Sequence, residues 1–541
     1  MTLQIHAAKS IMSSITAKGE HAMSRKKTLE RKAYVKNGAL RLLLCSIVII
    51  AEFLWLYIYI ARISVNTPLN AFLRSAVSLL IALLIYGRRE NSSMKMLWLF
   101  IVLSFPVMGI VLYLIAGLSG ATRAMHHRFE QIHQALLPWA TASPSALPDL
   151  SRQYPHLSGQ FYSLEHRIGS LTSGNTQVRF FGDTADALEV MLQDLSRAEK
   201  FIFMEYHAIE DARVFSRIHA VLAERAAAGV EVRLFYDDIG SIFFINTDFA
   251  DRMEQDGIHC RYFNPMLPLV NFFMNHRDHR KITVIDGRIG YTGGYNLADE
   301  YFHLTEPYGY WKDSGVRLEG GAVASMTALF LEMWNAIRSH DEDDAEFSRY
   351  FPAADFPEAQ GYVLAYGESP LDALNTAEDV FINLLAGAQK YAWFTTPYLI
   401  LTDEMARALV LAAGRGVDVR IITPNIPDKK LTFRVTRSYY RELVSGGVRI
   451  YEYTPGFIHA KQCVSDDLVA ICGTINLDYR SLYHHFENGV LMLNTPAVTD
   501  IREDFVHLFS QSHEVTARYL SRTSFPFRLR DALLHLIAPL L

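Results

Sequence analysis

The chain has 541 residues, half of them hydrophobic, and a formal net charge of −5. That length exceeds one ordinary domain and predicts roughly two to four. The charge excludes a chain built as a polycation for nucleic acid, and the hydrophobic share points to a membrane protein with a large globular part.

Residues 1–39 form a basic segment containing Arg25, Lys26, Lys27, Arg31, Lys32 and Lys36, without the cleavage pattern of a secretory signal. A transmembrane region is expected over residues 40–118. Residues 42–61 and 96–116 are apolar runs of the ~20 residues that a spanning helix needs. Residues 71–86 are apolar but fewer, and carry Arg74. That segment is either a span with Arg74 snorkelling or a re-entrant piece. Two or three spans follow, and the flanking basic residues predict a cytoplasmic N-terminus. The expected location is the cell membrane, multi-pass. Glu52 lies at membrane depth, where a carboxylate is expected to face a partner helix.

Residues 119–176 read as linker and early helices. Beyond them, short β-branched runs alternate with helical patterns, as in sheets covered by helices. Residues 200–207 read as a strand, 211–227 as a helix and 229–235 as a strand. The same order recurs at 390–397, 403–414 and 416–422, so the chain carries two copies of one α/β unit. The copies are expected over 177–345 and 346–541, the second ending in an amphipathic tail. The cysteines Cys45, Cys260, Cys463 and Cys472 form no C-x-x-C pair and have no zinc spacing; they read as buried small hydrophobes, and no metal is expected.

Each copy ends in the same constellation. The first is His279-Arg-Lys281, Asp286 and Gly293-Gly-Tyr-Asn296; the second is His459-Ala-Lys461, Asp466 and Gly473-Thr-Ile-Asn476. Residues i and i+2 of a strand share a face, so each His and Lys point the same way. A glycine turn returns the chain and brings the asparagine back. Two such halves would surround one phosphate with two His, two Lys and two Asn, which suits a group whose charge spreads over several oxygens.

This pattern resembles the HKD motifs of the phospholipase D superfamily. Flanking segments narrow the likeness: residues 275–281, 292–300, 396–398, 457–461 and 473–481 are similar to cardiolipin synthases, as are Trp98, Pro106, Gly109 and Tyr113 and the closing residues 539–541. The resemblance implies two phospholipase D-type α/β/α sandwich domains behind a membrane region. It implies an enzyme that moves a phosphatidyl group from one phosphatidylglycerol to another, through a phosphatidyl-histidine, without a cofactor. His279, Lys281, Asp286, His459, Lys461 and Asp466 would be its catalytic set, with His279 favoured as nucleophile and His459 as acid/base. Lys281, Asn296, Lys461 and Asn476 would bind phosphate. Asp286 and Asp466 read as structural, bonding the turn that carries the glycine. A carboxylate is expected to orient each histidine: Glu487 in the second half, Glu300 or Asp299 in the first. Two apolar features remain. Residues 264–274 read as a lip for acyl chains or as core, and residues 525–537 as an interfacial helix or one packed on the protein. Asp237, Asp238, Gly240 and Ser241 form a family-like turn of unassigned role. The partners expected are phosphatidylglycerol and the bilayer, not nucleic acid, with oligomeric state open. The competing readings are a hydrolase or a transferase with another alcohol, then a nuclease, then a non-catalytic scaffold.

Overall fold

Alternating apolar runs and amphipathic stretches build two mixed sheets. A computed structural model describes residues 68–88, 91–117, 120–265, 275–338, 346–353, 356–372, 374–520 and 525–541, with scattered helical positions between 42 and 58. The strands of the first half are β1 (Thr176–Phe181), β2 (Phe201–Tyr206), β3 (Glu231–Asp237), β4 (Ile258–Phe263), β5 (Arg277–Asp278), β6 (Lys281–Ile285), β7 (Ile289–Gly293), β8 (Tyr310–Lys312) and β9 (Gly315–Gly320). Those of the second are β10 (Tyr362–Glu368), β11 (Tyr391–Thr395), β12 (Asp418–Pro424), β13 (Arg449–Tyr453), β14 (Gly456–Ile458), β15 (Gln462–Ser465), β16 (Val469–Gly473), β17 (His485–Leu493) and β18 (Ser512–Glu514).

The sheet orders are β1-β9-β7-β6-β2-β3-β4 and β10-β17-β16-β15-β11-β12-β13-β18. Up to the added β18 they are the same order, so the sequence repeat is a repeat of topology. β2, β3 and β4 run parallel, as do β11, β12 and β13. Helices such as Arg213–Ala227 and Asp403–Gly414 make the crossovers that parallel neighbours require. β2 shows how the pleat sorts side chains. Phe201 and Phe203 enter a core shared by both halves, while Ile202, Met204 and Tyr206 pack beneath the outer helices. The shared core also takes Val464, Cys472, Val490 and Met492 from the second sheet, and residues of helices Val323–Ala336 and Pro496–Ser510. Cys260, Cys463 and Cys472 are buried free thiols, as expected.

Residues 119–176 do more than link. Helix Gly120–Ala140 sends Phe129, Ile132 and Leu136 into the shared core. Helices Leu147–Gln153 and Ser158–Ile168 place Leu150, Phe161 and Leu164 against the outer helices of the second half.

The membrane expectations change. Helix Pro68–Tyr86, the segment that looked least certain, is long and apolar enough to cross a membrane. Its 19 residues span about 28 Å at 1.5 Å per residue. Residues 96–116, expected as one span, form two helices, Ser92–Ser104 and Pro106–Gly117. Phe105 leaves helical geometry at φ −129°, ψ 73°, and Pro106 brings no N–H to continue the ladder. The chain folds back so closely that a Cβ on Gly109 would lie 2.5 Å from the Ile101 carbonyl oxygen. Residues 42–61 and the apolar loop 266–274 lie largely outside the described residues. Helix Phe525–Ile537 packs on the second half by stacking His535 on Tyr439, ring centroids 4.3 Å apart, and leaves Phe525, Phe527, Leu529 and Leu533 exposed.

Candidate active site

Two short parallel ladders between the halves deliver the motif histidines. In one, β5 pairs with the start of β17, Arg277 opposite His485 and Asp278 opposite Phe486. In the other, β8 pairs with β14, Trp311 opposite Phe457 and Lys312 opposite Ile458. The next residue on each strand completes the pattern. His279 donates its backbone N–H to the Phe486 carbonyl at 2.9 Å and stands beside Glu487; His459 donates to the Lys312 carbonyl at 2.7 Å and stands beside Asp313.

His279 Nδ1 lies 2.8 and 2.9 Å from the two carboxylate oxygens of Glu487. His459 Nδ1 lies 2.7 Å from Asp313 Oδ2. Each half therefore supplies the carboxylate that orients the other half's histidine. With Nδ1–H donated to a carboxylate, the neutral ring keeps its lone pair on Nε2. Lys281 Nζ donates to the His279 carbonyl at 2.6 Å. Lys461 Nζ donates to the His459 carbonyl at 2.5 Å and lies 2.8 and 2.9 Å from the two nitrogens of that ring.

All these groups are buried, which sets their proton affinities. Burial, then Lys281, His207, Lys461 and His459, hold His279 well below the ordinary imidazole range. Burial and Lys461 lower His459 to about 4. Burial also lowers Lys281 to about 8 and Lys461 to about 7. Burial pushes the Asp313 carboxyl up, but His459 and Lys461 outweigh it and hold the group below its usual range. The mutual influence of both motifs puts them in one site. A bound phosphodiester would favour the charged forms of the lysines.

The surroundings of the two histidines differ. The ring of His279 lies 4.9 Å from that of His207 and 5.5 Å from that of His485. The ring of His459 lies among Tyr301, Trp311 and Phe457, at 5.4, 5.5 and 5.9 Å. His279, His485 and Glu487 bring ligand-type atoms within 4.8 Å of one another. They do not fit a cation site. Arg480 Nε donates to His485 Nε2 at 3.1 Å, so the neutral ring carries its hydrogen on Nδ1, the atom that faces Glu487.

Several expectations need correction. Glu487 serves His279, not the histidine of its own half. Glu300 bonds to neither motif histidine among the described residues; burial pushes its carboxyl up to about 7. Asp299 accepts from Arg213 Nε and the Val214 N–H, holding the start of a helix. Asp286 and Asp466 are structural, but at another turn. Asp286 accepts the N–H groups of Glu199, Lys200 and Phe201, and Asp466 those of Gln389, Lys390 and Tyr391. They tie down the starts of β2 and β11, at the ends of β6 and β15 away from the lysines. The asparagines are both buried. Asn296 is held by the Ala208 N–H and the Tyr301 hydroxyl, whereas Asn476 Oδ1 has no partner among the described residues.

Asp313 escaped the sequence reading, although a signal was present. Asp313-Ser-Gly-Val316 and Glu487-Asn-Gly-Val490 occupy equivalent places, where β9 and β17 begin or run beside the glycine-turn strands. The turn at Asp237 also gains a role. Its carboxylate accepts from Arg277 Nε and Nη2 at 3.0 and 2.7 Å, from the Gly240 N–H, and from the Asp278 N–H at 3.0 Å. It anchors the strand that presents His279.

A duplicated α/β/α unit with a histidine and lysine from each half around one buried pocket defines a phospholipase D-type fold. Residues 191–334 and 381–509 match the family described as cardiolipin synthase, PLD-like domain, and residues 76–117 match the phospholipase D-nuclease N-terminal family. A cardiolipin synthase 2 from Bacillus cereus is 30% identical over 464 residues, covering 85% of this chain and 90% of that protein. A cardiolipin synthase from Halalkalibacterium halodurans is 29% identical over 475 residues, covering 85% and 92%. An uncharacterized protein from Streptococcus mutans is 40% identical over 457 residues, covering 83% and 98%. The crystal structure of phosphatidylserine synthase from Haemophilus influenzae shares the fold, with a TM-score of 0.52 at 15% identity, over 68% of this chain and 95% of that one. The chain belongs to the cardiolipin synthase family of phospholipase D-like proteins. It is an enzyme of the phosphatidyltransferase class.

Proposed function

We propose that this chain is a membrane-bound cardiolipin synthase that uses phosphatidylglycerol as both donor and acceptor. The observation that carries the reading is the reciprocal pair of carboxylate-held imidazoles, His279–Glu487 and His459–Asp313, in one pocket with Lys281 and Lys461. His279 Nε2 attacks the phosphorus of one phosphatidylglycerol. The P–N bond forms as the bond from phosphorus to the head-group glycerol oxygen breaks, and His459 gives that oxygen a proton. The primary hydroxyl of a second phosphatidylglycerol then loses its proton to His459 and attacks phosphorus. The P–N bond breaks, and two phosphatidylglycerols have become cardiolipin and glycerol. Lys281 and Lys461 hold the phosphate oxygens, with Asn296 and Asn476 as amide donors beside them. The neutral state of His279 suits the attacking role, and the bound phosphate's negative charge raises His459 toward the protonated state that the acid needs.

The test is product analysis. Purified protein and its His279→Ala variant receive labelled phosphatidylglycerol as sole lipid, with a chelator present. Cardiolipin and glycerol from the wild type and neither from the variant are expected. Phosphatidic acid alone would make the protein a hydrolase, and no product with this lipid would exclude phosphatidylglycerol as its donor.

A further inference from the structure

Arg480 sits in the short helix Tyr479–Tyr483 after the second glycine turn. Its Nε donates to His485 Nε2. Among the described residues, no hydrogen bond reaches its Nη1 or Nη2 and no carboxylate forms an ion pair with it. The nearby acids are engaged elsewhere: Asp237 with Arg277 and the Asp278 N–H, and Asp478 with the Ser481 N–H. The charge of Arg480 acts on His276 and His484, whose rings lie 6.2 Å apart, and its Nε bonds the His485 ring. Burial keeps these three imidazoles neutral, and the charge of Arg480 adds to the effect. A shielded cation without a counter-ion is unfavourable unless a ligand supplies the anion.

Its place bears on the reaction. The His485 ring lies 5.5 Å from the His279 ring on one side and bonds Arg480 on the other. The guanidinium is thus one imidazole away from the attacking histidine. The other half has no such annex. Four residues after its motif asparagine stands Glu300 instead of arginine, and two before its carboxylate stands Trp311 instead of histidine. Arg480 adds a cation on the His279 side, beyond Arg277, whose charge Asp237 already meets.

We infer that Arg480, with His484 and His485, forms the subsite for the phosphodiester of the acceptor lipid. The inference rests on the acceptor being a second phosphatidylglycerol. Such an acceptor brings its own phosphate, a glycerol unit away from the phosphorus held on His279. A guanidinium fork with two open Nη groups matches two phosphate oxygens. Water or a free alcohol has no charge for it to meet, so the subsite selects an anionic lipid over both.

Two reactions that share one phosphatidyl-enzyme separate this role from a structural one. Wild type and Arg480→Gln are given phosphatidylglycerol, and cardiolipin formation is compared with incorporation of labelled glycerol into phosphatidylglycerol, whose acceptor carries no phosphate. The ratio of cardiolipin formation to glycerol exchange falls about 100-fold in the variant, through a raised KM for the lipid acceptor, as expected for a lost charge-assisted fork. Arg480→Lys, which keeps the charge but not the fork, falls between. An unchanged ratio overturns the subsite. If Arg480→Gln has no melting transition, the lysine variant is judged by the same ratio. Glycerol exchange without any cardiolipin from the wild type would instead overturn the acceptor assignment beneath the inference.

Discussion

Gly294 stands where the second motif has Thr474, and the difference has a steric cause. A Cβ on Gly294 would lie 2.1 Å from Asp313 Oδ1, whereas the Thr474 hydroxyl donates to Glu487. The shorter carboxylate comes closer to its turn and leaves room only for hydrogen. Gly294→Ser should displace Asp313 and lower turnover on the order of 10²-fold, with little loss of melting temperature. Asp286→Asn should do the reverse. It weakens three bonds to backbone N–H groups at a partly exposed turn and costs about 1–3 kcal/mol of stability, while turnover per folded molecule changes little. Denaturation curves and rates on the same preparations check both. The lysines set the pH response. Lys461 at about 7 and Lys281 at about 8 lose the charge proposed to bind phosphate as pH rises through those values. The profile of kcat/KM, which reports the free enzyme, should therefore fall above about pH 7. The fall in kcat should lie at higher pH, because bound phosphate raises both lysines. A kcat/KM flat to about pH 9 would contradict the assignment.

At the level of elements, the β5–β17 and β8–β14 ladders decide which carboxylate meets which histidine. A shift of one residue in either would turn His279 or His459 to the opposite face. The pairing has a kinetic signature. In the proposed mechanism Glu487 supports the attacking histidine, so Glu487→Gln should slow phosphatidyl-enzyme formation whatever the leaving group. Asp313 supports the proposed proton donor, so Asp313→Asn should release p-nitrophenol from phosphatidyl-p-nitrophenol far faster, relative to wild type, than it releases glycerol. p-Nitrophenolate needs no proton to depart. A burst of phenolate in the two variants measures the difference; equal rescue of both would refute the crossed arrangement.

For the whole molecule, helix Pro68–Tyr86 is the candidate membrane span. Helix Pro68–Tyr86 exposes its leucines, Leu80 by 57%, and an apolar face of this kind marks a membrane or protein contact. Arginine near the centre of a span costs about 2.5–3.5 kcal/mol on insertion scales, so Leu80→Arg should reduce the carbonate-resistant membrane fraction. An unchanged fraction would mean that this helix is not the anchor. The apolar helices and the catalytic halves are joined on the outer side of the second half: Asn91 Nδ2 donates to the Tyr483 hydroxyl at 3.2 Å, and Met94 packs against that half's core. The exposed apolar face of helix Phe525–Ile537 adds to the same half. Together these contacts tie the catalytic unit directly to the apolar helices of residues 68–117.

The histidines, lysines and asparagines were legible because their relation is local. A two-residue spacing on a strand and a tight turn are properties of consecutive residues, and the repeat made them unmistakable. The α/β alternation was legible for the same reason, through periods of 2.0 and 3.6. Hydropathy found the apolar segments but misjudged 96–116 and left 71–86 open between two readings. A sum over 96–116 does not register the break at Phe105-Pro106, and Arg74 counted against the one helix of spanning length among the described residues. The carboxylate assignments lay beyond sequence proximity altogether. Glu487 is 208 residues from His279, and Asp313 is 146 from His459. Only the docking of one half on the other, through two short ladders buried at the seam, decides those contacts, because no local periodicity encodes a register between strands of different domains.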